Sequence, residues 1–239
     1  MCGRYAITLP PEAVRAFFEY VEQPNFPPRF NVAPTQPIPI VFAREHSKGR
    51  ERHFLLARWG FLPGFVKAPK DFPLLINARA ETLVDKPSFR AAFKRRRCLV
   101  IADSFYEWRR TAAKGPKQPY LIRRVDGLPM GFAGLFETYS DASGGEIDTA
   151  CIITTAANRL ISQVHDRMPV IVPREAFSDW LDCDVIETTQ ARELLAPAPE
   201  TLLELIPIGT AVNRASQDDV SVQTPTGEAL RGIESQFLF

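Results

Sequence analysis

The middle of this chain is a succession of short apolar segments, and this feature most constrains the fold. Each segment is rich in β-branched or aromatic residues and is bounded by polar or turn-forming residues, the pattern of β-strands. The predicted strands are Cys98–Ala102, Phe105–Arg109, Pro119–Arg124, Gly131–Tyr139 and Thr149–Thr155. Asp126-Gly127 predicts a hairpin turn between the third and the fourth of them. The sequence therefore favours a fold dominated by antiparallel strands.

The rest of the chain adds two strands and several short helices. Strands are expected at Ile38–Ala43 and Phe54–Trp59. Helices are predicted over residues 11–18, 86–97, 158–165, 173–181 and 186–195. The proline-rich stretch 22–38 is expected to be an irregular loop, and no boundary divides residues 1–239. These elements predict an α+β fold: a single domain with an antiparallel β-barrel-like core and peripheral short helices.

Composition excludes several classes of protein. The 239 residues carry a net charge of +1, so any nucleic acid must be bound by a local basic patch rather than by a global field. The four cysteines form no Cys-x-x-Cys pair, which argues against a zinc site and against a disulfide framework. No apolar run approaches the length of a membrane span. We therefore expect a reduced, cytoplasmic protein with no metal and no membrane segment.

The residue with the most distinctive chemistry is Cys2, which follows Met1 directly. Removal of the initiator methionine, usual before a small residue, leaves an α-amine beside a thiol. Both groups are partly nucleophilic near neutral pH. Together they can trap an aldehyde as an imine and then as a thiazolidine, or the thiolate can attack an acyl group while the amine acts as base. Position 2 alone does not distinguish these reactions from a cysteine that has no role.

Two further residues are candidates for proton transfer. Glu107 lies between aromatic residues within a predicted strand, where burial would raise its pKa and suit it to general acid–base catalysis. Strand alternation is equally compatible with Glu107 facing water. Of the three histidines, His165 alone is flanked by apolar residues, whereas His46 and His53 lie in charged segments. His165 is therefore the best histidine candidate, although a purely structural histidine at a helix end fits the same pattern.

Polar and basic residues suggest where an anionic ligand would bind. Asn77 and Arg79 are two positions apart in an alternating segment, so their side chains share a face. The basic runs 94–97 and 109–110 fit solvated helix or strand ends. A phosphate track is the alternative, built from those runs with Arg4, Arg79 and Arg167. The aromatic faces on which bases would stack are Trp59, Phe65 and Trp108.

Taken together, these segments resemble the SRAP family (SOS-response-associated peptidase). The resemblance extends from residue 2 to about residue 170, and its specificity comes from the order and joint presence of the motifs. The matching segments are Met1–Tyr5, Arg29–Thr35, Arg58–Pro63, Asn77–Thr82, Arg97–Val100, Phe105–Trp108, Phe132–Leu135, Thr154–Thr155 and His165–Val170, with Ala211–Asn213 as a weaker match.

The resemblance implies a sensor of abasic sites in single-stranded DNA that crosslinks the lesion as a thiazolidine. Cys2 would be the covalent nucleophile through its amine and its thiol. Asn77 would position the amine, and Glu107 would move protons during imine formation and ring closure. His165 would protonate the sugar oxygen that leaves as the deoxyribose ring opens. The family is also linked to removal of its own initiator methionine, which is the peptidase activity of its name.

The resemblance also implies a DNA-binding surface. Arg4, Arg79 and Arg167 would hold the flanking phosphates, Trp59 and Trp108 would lie near the bases, and Thr154 would line the pocket. The partner would be single-stranded DNA containing abasic sites, bound without a cofactor by a monomer in the bacterial cytoplasm, associated with the nucleoid.

Three other functions remain as alternatives. An N-terminal-nucleophile amidase, such as a glutamine amidotransferase, also begins with Cys-Gly, but it normally carries an Asn-Gly pair that this chain lacks. A non-covalent module for modified DNA would not need Cys2 at all. A protease acting on other proteins is the third alternative, although the self-processing step would need only Cys2, Glu107 and His165.

Overall fold

The computed structural model describes residues 2–47, 49–110 and 115–232 of the chain. The strands are β1 Tyr5–Ile7, β2 Arg29–Val32, β3 Pro37–His46, β4 Gly49–Trp59, β5 Asn77–Arg79, β6 Arg97–Ala102, β7 Ser104–Arg110, β8 Lys117–Arg124, β9 Met130–Ser140, β10 Glu146–Ala156, β11 Arg167–Pro169, β12 Ile171–Val172, β13 Leu203–Pro207 and β14 Leu230–Arg231. The helices are α1 Pro11–Phe18, α2 Pro87–Arg95, α3 Arg159–Ser162, α4 Phe177–Leu181 and α5 Thr188–Glu193. The predicted α+β class is confirmed.

The strands form two sheets. The larger sheet has the order β11-β10-β4-β3-β6-β9-β12, and an additional pairing of β10 with β9 closes five of its strands into a ring. The smaller sheet has the order β14-β13-β8-β7-β1-β2, and all its pairings are antiparallel. Two pairings in the larger sheet are parallel, those of β10 with β4 and with β5. The closed ring agrees with the expected barrel-like core.

The main hydrophobic core lies where the two sheets face each other. Tyr5 of β1 packs edge-on against Trp59 of β4 and against Phe132 of β9, with ring centroids 5.4 Å and 6.4 Å apart. Phe105 of β7 meets the same Phe132 ring at 5.8 Å. A second, smaller cluster around Tyr106 covers the opposite face of the smaller sheet. Strand β7 is therefore covered by protein on both faces.

Three local predictions were wrong. Asp126-Gly127 forms a turn, but it joins no hairpin, because β8 pairs with β7 and β13 while β9 belongs to the other sheet. The segment predicted to be irregular contains β2, whose Val32 pairs with Tyr5. Only Arg159–Ser162 of the predicted helix 158–165 is helical. In the first two cases, pairing with distant strands decided the outcome.

Arg97 shows the same effect at the end of α2. The basic run was expected to finish a helix, but Arg97 begins β6 and is only 1% exposed. Its guanidinium donates to the backbone carbonyls of Trp180 and Phe93, at 2.7 Å and 3.2 Å, and to those of Asp182 and Ile186. Carbonyl oxygens thus replace water around this buried cation. No helix in the described part of the chain is long and apolar enough to cross a membrane.

Candidate active site

Cys2 lies at the junction of the two sheets because β1 is fixed against β7. The backbone N–H of Tyr106 donates to the Arg4 carbonyl at 3.0 Å, which extends the pairing of the two strands toward the start of the chain. The Cys2 side chain is fully buried, and its thiol faces the Arg4 carbonyl at 3.9 Å. Burial raises the pKa of the Cys2 thiol, and the nearby carboxylate of Glu107 raises it further. The thiol is therefore protonated at neutral pH and needs a base to react.

Glu107 of β7 points into the space between the sheets. It shares a strand face with Phe105, which belongs to the main core, whereas Tyr106 and Trp108 belong to the smaller cluster on the other face. The side chain is 3% exposed. Burial raises the pKa of Glu107 to about 7, and the negative charge of Asp166 adds to the effect. Near neutral pH this carboxyl group can both accept and donate a proton.

Asn77 reaches Cys2 from the opposite sheet. Strand β5 runs parallel to β10, with Asn77 in register with Ile152. The Asn77 Nδ2 donates to the Cys2 carbonyl at 2.8 Å. Its Oδ1 is buried and accepts no hydrogen bond from the residues that the structure describes. A buried acceptor without a donor is costly, so Asn77 presents an unused acceptor beside the start of the chain.

His165 follows α3 and faces Glu107, with Nε2 at 4.0 Å from Oε2. Its Nδ1 lies 2.9 Å from the backbone nitrogen of Arg167, which donates to it in the neutral ring. Burial lowers the pKa of His165, and the exposed carboxylate of Asp166, with Oδ1 3.0 Å from Nδ1, opposes that effect. The structure thus brings together all four residues predicted to react: Cys2, Asn77, Glu107 and His165.

The predicted phosphate ligand Arg167 is already engaged by protein groups. Its guanidinium forms two hydrogen bonds with the Glu81 carboxylate, at 2.7 Å and 3.0 Å, and donates to the Thr154 carbonyl at 2.7 Å. Thr154 is fully buried, and its hydroxyl lies 3.5 Å from the Ala78 carbonyl. Arg167 therefore clamps β10 to the turn that follows β5, and a phosphate there would have to share it with Glu81.

Arg4 and Arg79 differ in how available they are. One nitrogen of Arg4 donates to Asn31 Oδ1 and to the Val212 carbonyl, both at 2.8 Å, which ties β1 to the turn at residues 210–213. Arg79 ends β5 in register with Thr154, and its side chain is exposed. Of the three predicted phosphate ligands, Arg79 is the one that faces solvent.

The two tryptophans are placed differently. Trp59 is fully buried: its Nε1 donates to the Ile76 carbonyl at 2.9 Å, and its ring packs on Tyr5. It offers no free face to a base, because β4 directs this side chain into the core, and this corrects the expectation of stacking at Trp59. Trp108 is half-buried at the rim, where Nε1 donates to Asn213 Oδ1 at 2.7 Å. A partly open aromatic surface therefore remains at Trp108.

Comparison with known proteins gives the relationship of this chain. The sequence profile described as "SOS response associated peptidase (SRAP)" matches residues 1–215. This chain belongs to the SRAP family. The abasic site processing protein YoqW of Bacillus subtilis (strain 168) is 35% identical over 216 residues, which cover 89% of this chain and 94% of YoqW. The abasic site processing protein HMCES of Xenopus tropicalis is 30% identical over 256 residues, which cover 90% of this chain and 75% of HMCES.

The fold gives the same relationship. A crystal structure of a protein from Bacteroides thetaiotaomicron superposes with a TM-score of 0.80 at 25% identity, covering 92% of this chain and 98% of that one. A crystal structure of a protein from Bordetella bronchiseptica gives a TM-score of 0.73 at 28% identity, covering 87% and 100%. The α+β architecture is thus shared with solved structures over nearly the whole described chain.

Two residues that interact with members of the candidate site were not singled out as site residues from the sequence. The positive charge of Lys117, at the start of β8, lowers the pKa of Glu107 against the larger effect of burial. It lowers the pKa of His165 in the same direction as burial. Asn31 is fully buried and donates to the carbonyls of Arg214 and Gln217. Asn31 lies inside a motif that carried the resemblance, whereas no local signal marked Lys117. Among the described residues, no cluster of histidine, cysteine or carboxylate side chains suits a metal ion.

Proposed function

We propose that this chain processes abasic sites in single-stranded DNA and forms a covalent link to them through Cys2. Membership of the SRAP family supports the proposal, as do the names of YoqW and HMCES, both abasic site processing proteins. The observation that carries it is the hydrogen bond from Asn77 to the Cys2 carbonyl, beside the buried pair of Glu107 and His165. The protein then acts as a one-domain monomer that protects the lesion during the response to DNA damage.

The first step uses the α-amine of Cys2 after removal of Met1. The ring-opened deoxyribose of an abasic site carries an aldehyde at C1′. The amine nitrogen adds to this carbon, and loss of one water gives an imine. The buried acceptor Asn77 Oδ1 orients the amine, and His165 donates its Nε2 proton to the sugar oxygen as the deoxyribose ring opens.

The second step closes the ring. The Cys2 sulfur bonds to the imine carbon, and the thiol proton passes through Glu107 to the nitrogen, which gives a thiazolidine. Because burial sets the pKa of Glu107 at about 7, the same carboxyl group takes up and releases this proton. Removal of Met1 would use the same groups, with one water added across the Met1–Cys2 peptide bond. The exposed Arg79 and the rim residue Trp108 would hold the flanking strand.

Intact mass spectrometry tests the proposal. The purified protein is mixed with a single-stranded oligonucleotide that carries one abasic site. The expected product has the summed mass of DNA and protein without Met1, less one water. The Cys2→Ala variant should give no adduct, and Asn77→Ala and Glu107→Gln should form it more slowly.

Cys98→Ala is the matched control, because Cys98 is also a fully buried thiol but lies in β6. It should form the adduct like the wild-type protein. An unmodified mass from a protein shown to lack Met1 would reject the covalent reaction. Cys2→Ala keeps an α-amine and can form only the imine, which hydrolyses, so an adduct in this variant that survives denaturation would reject ring closure by the Cys2 thiol.

A further inference from the structure

One side of helix α2 carries a row of three cations. Lys86 is the residue immediately before the helix, and Arg90 and Lys94 follow at intervals of four residues, so the side chains of Arg90 and Lys94 are neighbours on the helix surface, about 6 Å apart. All three are exposed. Phe89 and Phe93 are buried in the core and lie beside the row around the helix axis, so the row borders the buried face of the helix.

Helix stability does not account for this row. Lys86 lies at the N-terminal end, where the helix dipole disfavours a positive charge, and the first turn contains no acidic residue. Like charges four residues apart repel each other. Neither Lys86, Arg90 nor Lys94 forms an ion pair with any residue that the structure describes. In a chain with a net charge of only +1, three uncompensated cations on one helix side form a local positive patch.

The row begins near the candidate active site and leads away from it. The Phe89 ring, at the first turn of α2, packs against Phe61 with centroids 5.7 Å apart. The Phe61 N–H donates to the Leu75 carbonyl at 2.9 Å, two residues before Asn77. At the far end, the Phe93 ring packs against the tryptophan of α4. In the chain, Lys86 follows the exposed Arg79 at the end of β5, after the short turn Ala80–Thr82.

We propose that Lys86, Arg90 and Lys94 bind the phosphodiester backbone of the single strand that flanks the abasic site. This inference rests on the proposed function and names a surface beyond the reacting residues. The spacing of the cations is similar to that of successive phosphates along an extended strand. Each contact would release a counterion, so the surface would contribute affinity that falls as salt rises.

The test measures binding without the covalent step. Oligonucleotides contain a tetrahydrofuran analogue of the abasic site, which has no aldehyde, and are either short or extended on the 5′ or the 3′ side. For one of the extended strands, the Lys86→Gln/Arg90→Gln/Lys94→Gln variant should bind more weakly than wild type. The slope of log affinity against log salt is negative. Its magnitude should decrease by about 2, from about 0.7 for each of the three lost contacts. The short strand should bind both proteins alike.

Arg95 provides a matched control on the same helix. Arg95 is also exposed, but it is rotated about 140° from Arg90 around the helix axis. Arg95→Gln should leave the slope unchanged, and Arg90→Gln should decrease its magnitude by about 0.7. Circular dichroism checks that the variants remain folded.

Three results would overturn the inference. The triple variant and wild type could share one slope for both extended strands, or Arg95→Gln could lower the slope as much as Arg90→Gln does. Alternatively, polyglutamate could bind wild type but not the variant while DNA affinity stays unchanged, which would assign the row to an acidic protein. Failure of the proposed function is separate, because it appears as a missing adduct between wild type and a short oligonucleotide bearing the natural abasic site.

Discussion

Replacing Glu107 with glutamine tests whether burial controls the chemistry of this site. Glu107→Gln keeps the size of the side chain and removes its charge. In the folded protein, burial raises the pKa of Glu107 from its ordinary value of 4.5 to about 7. Since the folded protein holds this proton more tightly than the unfolded chain does, protonation of Glu107 stabilises the fold.

The sign and size of the effect follow from those two pKa values. The stabilisation is fully present below pH 4.5 and is lost as the pH rises through about 7. The full difference corresponds to about 3 kcal/mol in the free energy of unfolding, most of which lies between pH 5 and pH 8. The glutamine variant does not lose this contribution. Relative to wild type, its free energy of unfolding should therefore rise by about 2–3 kcal/mol over that interval.

Urea unfolding of both proteins at pH 5 and pH 8 measures this difference. Glu204→Gln is the control, because Glu204 is also a buried carboxylate, with 4% of its side chain exposed. Burial raises the pKa of Glu204, but hydrogen bonds from Arg231 and Arg123 outweigh burial and lower it overall. Its charged form therefore stabilises the fold, so Glu204→Gln should lose stability at pH 8 and lose less as the pH falls through the carboxylate range.

One result would refute this reasoning. The difference between wild type and Glu107→Gln could remain constant within about 0.5 kcal/mol from pH 5 to pH 8, a spread typical of neutral surface changes. The pKa of Glu107 would then be ordinary, and Glu107 would not be poised to exchange a proton near neutral pH.

Two further predictions concern the residues around the site. Asn31→Ala should lower the free energy of unfolding by about 2–4 kcal/mol in urea, because the fully buried Asn31 amide donates to the carbonyls of Arg214 and Gln217 and accepts from Arg4. A loss below about 0.5 kcal/mol would contradict this. Glu81→Gln should lower the free energy of unfolding by no more than about 1 kcal/mol, since the Glu81 side chain is half exposed. This loss should vanish at low pH, because Arg167 holds the pKa of Glu81 below its usual value and the ion pair is lost when Glu81 is protonated. The same change frees Arg167, so DNA binding should tighten and its dependence on salt should steepen. Unchanged binding in a salt titration would show that Arg167 does not contact phosphate.

Sequence patterns predicted much of the secondary structure. Helix α1 was predicted at the residues where it occurs, 11–18, because a proline in the first turn and an apolar face are local signals. The central strands were located to within a few residues for the same reason. The pairing of those strands was less accessible: the turn at Asp126-Gly127 has hairpin chemistry, yet the chain crosses there from one sheet to the other. Turn residues report local geometry and not the identity of the next partner strand.

The sequence also left the orientation and the partners of several site residues undetermined. Alternation along β7 left open which way Glu107 points, because protein covers both faces of that strand. Trp59 was expected near the bases as an aromatic residue in a matching motif, but the closed ring of strands buries it. Arg167 and Arg4 were read as cations for phosphate, and their bonds to Glu81 and Asn31 appear only in three dimensions.

By itself, the sequence determined the α+β class, the position of the candidate nucleophile Cys2 and the motifs that mark the SRAP family. Only the tertiary structure decided that Asn77, 75 residues along the chain, bonds to Cys2, and that His165 faces Glu107. The physical reason is that periodicity and turn chemistry are properties of neighbouring residues. Burial, hydrogen-bond partners and pKa values depend on which distant segments the two sheets bring together.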